Sequence, residues 1–583
     1  MPAVSAGTTT SLAASARVRA ARTGRDVRRR TAWLVGGLIL VALAVRVPGL
    51  GATNLWLDEA NSWLLAKYSL PALLANIRAS PSSPLYFVLL KGWVQLFGES
   101  ESTLRALSLV VSLALIPVTY TLGARTVSRR AAFLGALLLA LSPVQLYYAQ
   151  EARVYMLVTL LTTCTVLTYV AWRQAVCGSD AEAPSSSTSR SRPHGLLAAY
   201  VVCAVLAIYT LDLAVLALLA LNIDAGLAGL RIVRARRAAY GTVSSRSPAY
   251  QSAHQSGYES GYESGYQSGG SHALTAGNGL WQTARDWVAA QITIGVACLP
   301  LAIAVDFKTA ASSQAWRRAL GVPDAMRGLM DFFASTIHGG YLYPWDLYHA
   351  IVDRWGAGAV LERTLAYPLT LLAVLTALSY PPRNARAGTA RVLYLVLGIP
   401  LGAGVAISVG HELSLPRYFL FTTPCLYVLI GAGLARMAGW LRTALLVVLL
   451  ATMGVGVVTY HGVGARDSDY RPVAHRLTDA LRTGDAIVIQ PPEMGVPLSY
   501  YMRAHPVPIA GLTAGAPLLG ALVPAAGKRT WLVLDYRSGT FGGNADSIAR
   551  IVPGHVVSDI VVTPGGSGVR IIEVDSAEPA KTR

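Results

Sequence analysis

LWLDEANSW (Leu55–Trp63) and YYAQEARVY (Tyr147–Tyr155) open and close the segment around which this chain is organised. Both are polar clusters that lie beside long apolar runs, and the first contains two adjacent carboxylates, Asp58 and Glu59. An ionisable group at the edge of a membrane is costly to place and marks a functional site by default. The two clusters are therefore the first candidates for chemistry.

The composition indicates a polytopic membrane protein. Of the 583 residues, 53% are hydrophobic and only 14% are charged, and the mean hydropathy is +0.45. The apolar runs are too long for ordinary core helices. The formal net charge of +18 comes largely from short arginine clusters between apolar segments, which is typical of cytoplasmic loops, so no nucleic-acid partner is expected. Five scattered cysteines without a C-x-x-C pair indicate neither a disulfide framework nor a zinc site.

Hydropathy predicts about eleven membrane spans. Residues 1–30 form a basic cytoplasmic tail, and 31–50 is expected to be an uncleaved first span because no small-residue cleavage pattern follows. The further predicted spans are 103–122, 131–146, 153–172, 195–210, 213–230, 287–305, 365–380, 392–409, 417–435 and 441–460. Every loop assigned to the cytoplasm is basic, and an odd number of spans places the C-terminal segment outside, together with the two polar clusters. The predicted location is the plasma membrane.

Interfacial helices and low-complexity loops are predicted between the spans. Asn61–Ile77 and Leu85–Phe97 have helical periodicity and carry Trp and Tyr, which favour headgroup depth. Residues 306–364 are expected to contain further interfacial helices. The cytoplasmic loops 178–193 and 244–270 have no apolar face to bury and are predicted to be disordered.

Beyond Tyr460 the composition changes to that of a soluble domain. Strand-like segments at 485–490, 529–536, 555–562 and 569–574 accompany helix-like segments at 473–481 and 496–503. This mixture predicts a small extracytoplasmic α/β domain over residues 461–583. The sequence contains neither a G-x-G-x-x-G turn nor a P-loop, so no nucleotide is assigned to it.

The polar clusters supply residue types that suit transfer from a phosphate-linked donor. A carboxylate at a membrane boundary can act as a general base toward a hydroxyl or an amine. Arg153, close to Glu151, offers a guanidinium fork that suits a phosphate ester. A purely structural role is the alternative for each of these residues. Asp58 and Glu59 could stabilise a helix N-terminus, and an arginine near the end of a span could reach lipid headgroups.

Several segments together resemble a known family. They are LWLDEANSW, PLYFVLLKGW (Pro84–Trp93), TLRALSL (Thr103–Leu109), LLLALSPVQLYYAQEARVY (Leu137–Tyr155) and SLPRYFLFTTP (Ser414–Pro424). Their ordered combination closely resembles the membrane glycosyltransferases of family 39 and their bacterial relatives. That group includes protein O-mannosyltransferases and the transferases that add aminoarabinose to lipid A. The resemblance covers most of residues 32–460 and implies a mainly α, transmembrane GT-C-type fold.

The resemblance also implies an activity and a site. Such enzymes transfer a sugar from a polyprenyl phosphate, usually with inversion, to a lipid, protein or glycan acceptor on the outer face. Asp58 matches the aspartate that acts as catalytic base, and Glu59 matches its acidic neighbour, so the resemblance implies that both are catalytic residues. Contacts with the donor phosphate or the acceptor are implied for Glu151, Arg153, Gln150, Tyr147, Tyr148 and Arg417. No metal ligand is assigned, and dependence on a divalent cation is left open.

Two other classes of protein remain as alternatives. A transporter or flippase of a polyprenyl-linked lipid is expected to show internal repeats and broken helices, and no convincing repeat of segments is found in the sequence. A non-catalytic envelope scaffold would tolerate the loss of Asp58. The chain also departs from the family at Ser82 and Ser83, where members commonly carry His or Lys, so one cation near the phosphate is missing.

Overall fold

The computed structural model describes most of the chain as helices followed by one small sheet. The described residues are 6–79, 84–179, 191–245, 262–304, 321–338, 367–382, 389–410, 415–462, 469–505, 507–511, 529–535, 555–561 and 569–575. Most of the loops 178–193 and 244–270, much of 306–364, and Ser82 and Ser83 lie outside them.

Helices are present at every predicted span. They are α1 (Ala6–Arg46), α2 (Leu57–Lys67), α3 (Leu70–Ala79), α4 (Leu85–Phe97), α5 (Glu101–Thr126), α6 (Arg129–Leu141), α7 (Pro143–Ala149), α8 (Tyr155–Ser179), α9 (Ser191–Ile208), α10 (Val215–Ser245), α11 (Tyr262–Ala304), α12 (Val322–His338), α13 (Tyr367–Leu378), α14 (Ala390–Gly410), α15 (Leu415–Tyr418), α16 (Thr423–Arg436) and α17 (Gly439–His461). Among the described residues, six helices are long and apolar enough to cross a membrane, and the bent pair α6 and α7 would make a seventh. The count of about eleven stays a prediction.

One predicted disordered loop is shorter than expected. α10 continues to Ser245 and α11 begins at Tyr262, so residues 262–270 are helical rather than disordered. A helix adds residues more easily than it starts, so an apolar span can extend the helix into a polar flank.

The predicted interfacial helix Asn61–Ile77 is two helices rather than one. α2 ends at Lys67, Tyr68 is extended, and α3 begins at Leu70. Pro71 in the first turn of α3 cannot donate to a preceding turn, and Ser69 Oγ accepts a hydrogen bond from Ala72 N instead. The break separates the helix that carries Asp58 from the more exposed α3.

The predicted span 131–146 is also broken, with a bend of 56° between α6 and α7. Pro143 opens α7, and Ser142 caps it by accepting from Gln145 N. The carbonyls at the end of α6 are satisfied by Arg46, which is fully buried and donates to Leu139 O at 2.7 Å. A buried cation is well placed at a helix C-terminus, where the dipole is negative.

α6 packs closely against α16 through glycines. A Cβ atom added at Gly431 would lie 2.4 Å from Ala131 O, and one added at Gly135 would lie 2.8 Å from Tyr427 O. Small residues allow two membrane helices to approach at backbone distance. This contact holds α16, which follows the segment that contains Arg417, close against α6.

Beyond α17 the chain forms a mixed five-stranded sheet. Its strands are β1 (Ala486–Gln490), β2 (Ile509–Gly511), β3 (Arg529–Asp535), β4 (His555–Val561) and β5 (Val569–Asp575), in the order β2-β1-β3-β5-β4. β1 pairs in parallel with β2 and β3, whereas β5 is antiparallel to both β3 and β4. The helices α18 (Tyr470–Ala480) and α19 (Gly495–Tyr501) contribute to a second apolar core on this sheet.

α19, which packs on the sheet, also contacts α2 and the residues next to it. Tyr501 Oη accepts a hydrogen bond from Leu55 N at 2.7 Å, and Tyr500 Oη donates to Glu99 O at 2.9 Å. The ring of Tyr500 meets Trp63 edge to face at 5.2 Å. The C-terminal unit therefore supports the helix on which Asp58 stands.

Asp485 is expected to make the sheet sensitive to acid. Its nearly buried carboxylate accepts hydrogen bonds from Arg482 N at 3.0 Å, Arg529 Nη2 at 2.9 Å and Trp531 Nε1 at 3.1 Å. Burial alone would raise the pKa of Asp485, but these donors outweigh it and hold the pKa below its ordinary value. The ionised carboxylate therefore stabilises the sheet above its unfolded-state pKa, and that stability is lost as the pH falls through the folded-state pKa.

Replacing Asp485 with Asn is expected to cost about 1–3 kcal/mol at neutral pH and to flatten the acid dependence. Hydrogen exchange of the β1 and β3 amides in the full-length protein, from neutral pH to about pH 3, measures both effects. Asp479→Asn, at an exposed position of α18, is the matched control. Equal protection of β1 and β3 in wild type and Asp485→Asn at every pH would contradict this role.

Candidate active site

Asp58 and Glu59 lie in the first turn of α2, yet their side chains have different surroundings. Carboxylates favour this position because the N-terminus of a helix carries partial positive charge. Neighbouring helical residues point about 100° apart, so one of the two can face the core while the other does not. Glu59 is fully buried, whereas the Asp58 side chain is 25% exposed. The adjacent acids are therefore separated into a buried and an accessible group.

Glu59 is held by Arg105 of α5. Arg105 Nε donates to Glu59 Oε1 at 2.8 Å and Arg105 Nη2 donates to Oε2 at 2.6 Å, which is a bidentate pair with both side chains fully buried. Glu59 Oε1 also accepts from Ala152 N at 2.9 Å. One carboxylate therefore joins α2, α5 and the second polar cluster.

Arg105 also organises the loop before α2. Its Nη1 donates to the carbonyls of Leu50 and Thr53 at 3.1 and 3.0 Å, and its Nη2 donates to Asn54 O at 2.8 Å. All the donors of this guanidinium are directed at Glu59 and the loop, as a buried charge requires. Arg105 thus sets the path by which the chain enters α2.

Asp58 receives two arginines from distant parts of the chain. Arg153 Nη2 lies 3.6 Å from Asp58 Oδ2, and Arg417 Nη2 forms an ion pair with the same oxygen. Arg153 Nη1 also donates to Asp58 O at 3.3 Å. The three side chains are between 19% and 25% exposed, so an anion could reach them. Two guanidinium groups thus converge on one oxygen position.

Aromatic rings fix the direction of Arg417. Its guanidinium carbon lies 5.1 Å from the ring centre of Trp56 and 5.4 Å from that of Tyr155, and its Nε donates to Tyr155 Oη. Arg153 lies on the same Tyr155 ring at 6.0 Å. Tyr155 therefore contacts both arginines that point at Asp58.

α7 forms the floor of this site. Tyr147 and Tyr148 are almost completely buried, and Tyr148 meets Tyr155 edge to face at 5.1 Å. Gln150 Nε2 donates to Arg46 O and Pro48 O at 2.8 and 2.7 Å. Tyr147, Tyr148 and Gln150, for which the resemblance implies donor or acceptor contacts, therefore pack beneath the site and link it to the end of α1.

Gln150 and Glu151, which follow α7, make two further hydrogen bonds. Gln150 Oε1 accepts from Tyr460 Oη of α17 at 2.8 Å. Glu151 is buried at the end of α7, next to Arg153, and its N donates to Tyr148 O at 3.4 Å. Neither Gln150 nor Glu151 is exposed as Asp58 is. Among the residues that the structure describes, no group of three or more His, Cys, Asp or Glu side chains is arranged to hold a metal ion.

The sequence prediction missed Arg105, Trp56 and Tyr155 as individual site residues. Arg105 is the one charged residue between Ser102 and Ala124 of α5, and a lone charge in a mainly apolar run is itself a signal for a functional or structural partner. Trp56 and Tyr155 lie within the quoted segments. Their partner Arg417 is more than 250 positions away in the sequence, so no local pattern reveals the contact.

The chain resembles solved structures of other membrane proteins. ArnT from Cupriavidus metallidurans in the apo state matches with 15% sequence identity and a TM-score of 0.51, over 94% of this chain and 100% of that one. The same protein bound to undecaprenyl phosphate matches with 16% identity and a TM-score of 0.49, over 94% and 99%. The oligosaccharyltransferase AglB from Archaeoglobus fulgidus, in complex with an inhibitory peptide and a dolichol-phosphate, matches with 11% identity and a TM-score of 0.44, over 87% and 69%.

No protein-family profile and no curated protein sequence matches the chain. At 15% identity the likeness to apo ArnT concerns the fold, and it extends over the whole length of ArnT. The predicted mainly α, membrane-protein architecture is thereby confirmed as the fold of apo ArnT. With its apolar helices, the chain is a multi-pass membrane protein of this fold.

Proposed function

We propose that this protein is a membrane glycosyltransferase that takes a sugar from a polyprenyl phosphate and transfers it to a lipid, protein or glycan acceptor. The observation that carries this proposal is the convergence of Arg153 and Arg417 on the accessible carboxylate of Asp58. The fold shared with ArnT, an aminoarabinose transferase, supports the same class of reaction.

The two arginines would bind the donor phosphate. Asp58 Oδ2 occupies a position that both guanidinium groups reach, so a phosphate oxygen placed there would meet the same donors. Stacking on Trp56 and Tyr155 keeps the Arg417 fork in one orientation. The phosphodiester of the donor, which carries one negative charge, would compete for these cations and release the carboxylate of Asp58 from Arg417.

The released Asp58 would act as general base. It accepts the proton of the acceptor hydroxyl or amine while the acceptor atom forms its bond to the anomeric carbon. The bond from that carbon to the phosphate oxygen breaks, and both electrons leave with the polyprenyl phosphate, where Arg153 and Arg417 stabilise the negative charge. Attack from the side opposite the phosphate inverts the anomeric centre.

Glu59 is a positioning residue in this proposal. Its carboxylate is fully buried and is engaged by Arg105 and Ala152 N, so it holds α2 against the second polar cluster without touching substrate. Gln150, Tyr147 and Tyr148 similarly support the floor. The sequence predicts a catalytic role for Glu59, and we propose this indirect role in its place.

We place the site on the outer face of the plasma membrane, with the N-terminus in the cytoplasm. Residues 31–460 then form the catalytic domain, and residues 461–583 form an extracytoplasmic α/β domain that supports α2 through α19. The basic loops between spans favour this orientation.

Transfer of labelled sugar from synthetic polyprenyl-phosphate donors tests the function. Purified protein is incubated with polyprenyl-phosphate mannose, glucose or arabinose and with membrane fractions, and incorporation of the label is followed. Incorporation from one donor, with release of polyprenyl phosphate, is the expected result. Binding of polyprenyl phosphate without consumption of any donor would instead favour a transporter, and absence of binding would favour a scaffold.

Arg417→Lys is expected to weaken donor use selectively. Lysine keeps the positive charge but loses the fork and the stacking on Trp56 and Tyr155. We expect KM for the polyprenyl-phosphate sugar to rise by about 10-fold or more, which corresponds to about 1.4 kcal/mol. Arg503→Lys is the matched control, because Arg503 also lies on a tyrosine ring but outside the site. An equal KM in Arg417→Lys and wild type would exclude a phosphate-binding role for Arg417.

A further inference from the structure

A second basic cavity lies at the other end of the helices that form the candidate active site. It has a volume of about 710 Å³ and is lined by residues from α1, α5, α6, α16 and α17. Four of its lining residues are arginines, namely Arg30, Arg129, Arg130 and Arg442, and none is acidic. A cavity of this size is in the range that holds a small ligand or a lipid headgroup.

Helix geometry separates this cavity from Asp58 by about the thickness of a bilayer. Arg105 and Tyr120 lie 15 residues apart on α5, which is about 22 Å along the axis, and Tyr460 and Arg442 are about 27 Å apart on α17. Arg105 and Tyr460 belong to the Asp58 site, while Tyr120 and Arg442 line the cavity. The hydrocarbon core of a bilayer is about 30 Å thick, so the cavity lies at the opposite membrane boundary.

The side chains that line the cavity carry net positive charge. Within the described part of the chain, no Asp or Glu lies within 4.0 Å of the four guanidinium groups. The N-terminal turns of α6 and α17, which contain Arg129 and Arg442, add the positive ends of two helix dipoles. Such a site favours a ligand with more than one negative charge.

Apolar side chains line the rest of the wall. Leu34, Phe133, Leu134 and Leu446 accompany the arginines, and Leu34 is 49% exposed. A soluble anion would make no use of this apolar surface, whereas a phospholipid would place its phosphates on the arginines and its acyl chains along the leucines. Charge and apolar lining together favour a lipid.

We infer that this cavity binds an anionic phospholipid of the leaflet opposite the Asp58 site, preferentially one with two phosphates in its headgroup. The bound lipid bridges α1, α6 and α17. Because the cavity and the Asp58 site share α1, α5, α6 and α17 but no side chain, lipid binding can be measured independently of sugar transfer.

Native mass spectrometry of the full-length, delipidated protein tests this inference. The protein is titrated with cardiolipin, phosphatidylglycerol or phosphatidylcholine, and the dissociation constant of the first bound lipid is compared. We expect cardiolipin to bind most tightly, and Arg129→Gln/Arg442→Gln to weaken its binding by about 30-fold. Arg231→Gln/Arg234→Gln, which removes the same charge from α10 outside the cavity, is expected to bind like wild type. Thermal unfolding of both double variants identifies any that fail to fold.

Three results would overturn the inference. They are equal affinity for phosphatidylcholine and cardiolipin, an equal loss of binding in both double variants, and displacement of the lipid by inorganic phosphate. The last result would assign the cavity to a soluble phosphate instead. If Arg129→Gln/Arg442→Gln does not fold, Leu134→Trp, which fills the cavity without changing charge, is expected to abolish the tight binding of cardiolipin, and retained binding would count against the lipid site.

Discussion

Asp58→Asn is expected to lower the turnover number of sugar transfer by about 10²–10⁴-fold. Asparagine has nearly the same shape and can still accept a hydrogen bond from Arg417, but it cannot take a proton from the acceptor. Removal of the negative charge also removes the group that competes with the donor phosphate for Arg153 and Arg417. KM for the donor is therefore expected to stay the same or to fall while kcat falls, and steady-state kinetics with varied donor measure both.

The matched control for this substitution is Asp324→Asn. Asp324 lies in the first turn of α12 and pairs with Arg327 at 3.5 Å, so it is also an aspartate with an arginine partner in the first turn of a helix, but outside the site. Its substitution is expected to leave kcat unchanged. If folded and inserted Asp58→Asn transfers sugar at the wild-type rate, Asp58 is not the base.

Arg105→Gln is expected to destabilise the protein by about 3–5 kcal/mol. The substitution leaves the carboxylate of Glu59 without its bidentate partner in a fully buried position, and the carbonyls of Leu50, Thr53 and Asn54 lose donors as well. A cost of this size is a large part of the stability of a typical protein, so the yield of folded protein should fall sharply. Thermal unfolding in detergent or nanodiscs measures the change.

Two further variants test whether the buried pair contributes more to stability than an ordinary surface ion pair does. Lys67→Gln breaks the exposed pair between Lys67 and Glu99 and is expected to cost less than about 1 kcal/mol. Glu59→Gln/Arg105→Gln removes the unpaired charge and is expected to recover part of the lost stability. A single Arg105→Gln variant as stable as Lys67→Gln would show that the buried pair does not hold α2 in place.

The position of the helices and of several strands could be predicted from the sequence because hydrophobic burial has a local period. Leu85–Phe97 is a helix with the predicted bounds, and the strand predicted at 529–536 is β3 at Arg529–Asp535. The two helix breaks were missed although Pro71 and Pro143 are visible in the sequence. A proline can either bend a span or open a new helix, and capping by Ser69 and Ser142 decides between the two.

The sequence by itself determined that this is a polytopic helical membrane protein with two polar clusters, because apolar length and charge pattern depend only on neighbouring residues. Only the tertiary structure decided that Glu59 faces Arg105 while Asp58 faces the opening. It also decided that Arg417 contacts Asp58, although the two residues are 359 positions apart in the sequence. Ion pairs of this kind form when helix packing brings distant side chains within a few ångströms of each other, and no local pattern encodes that packing.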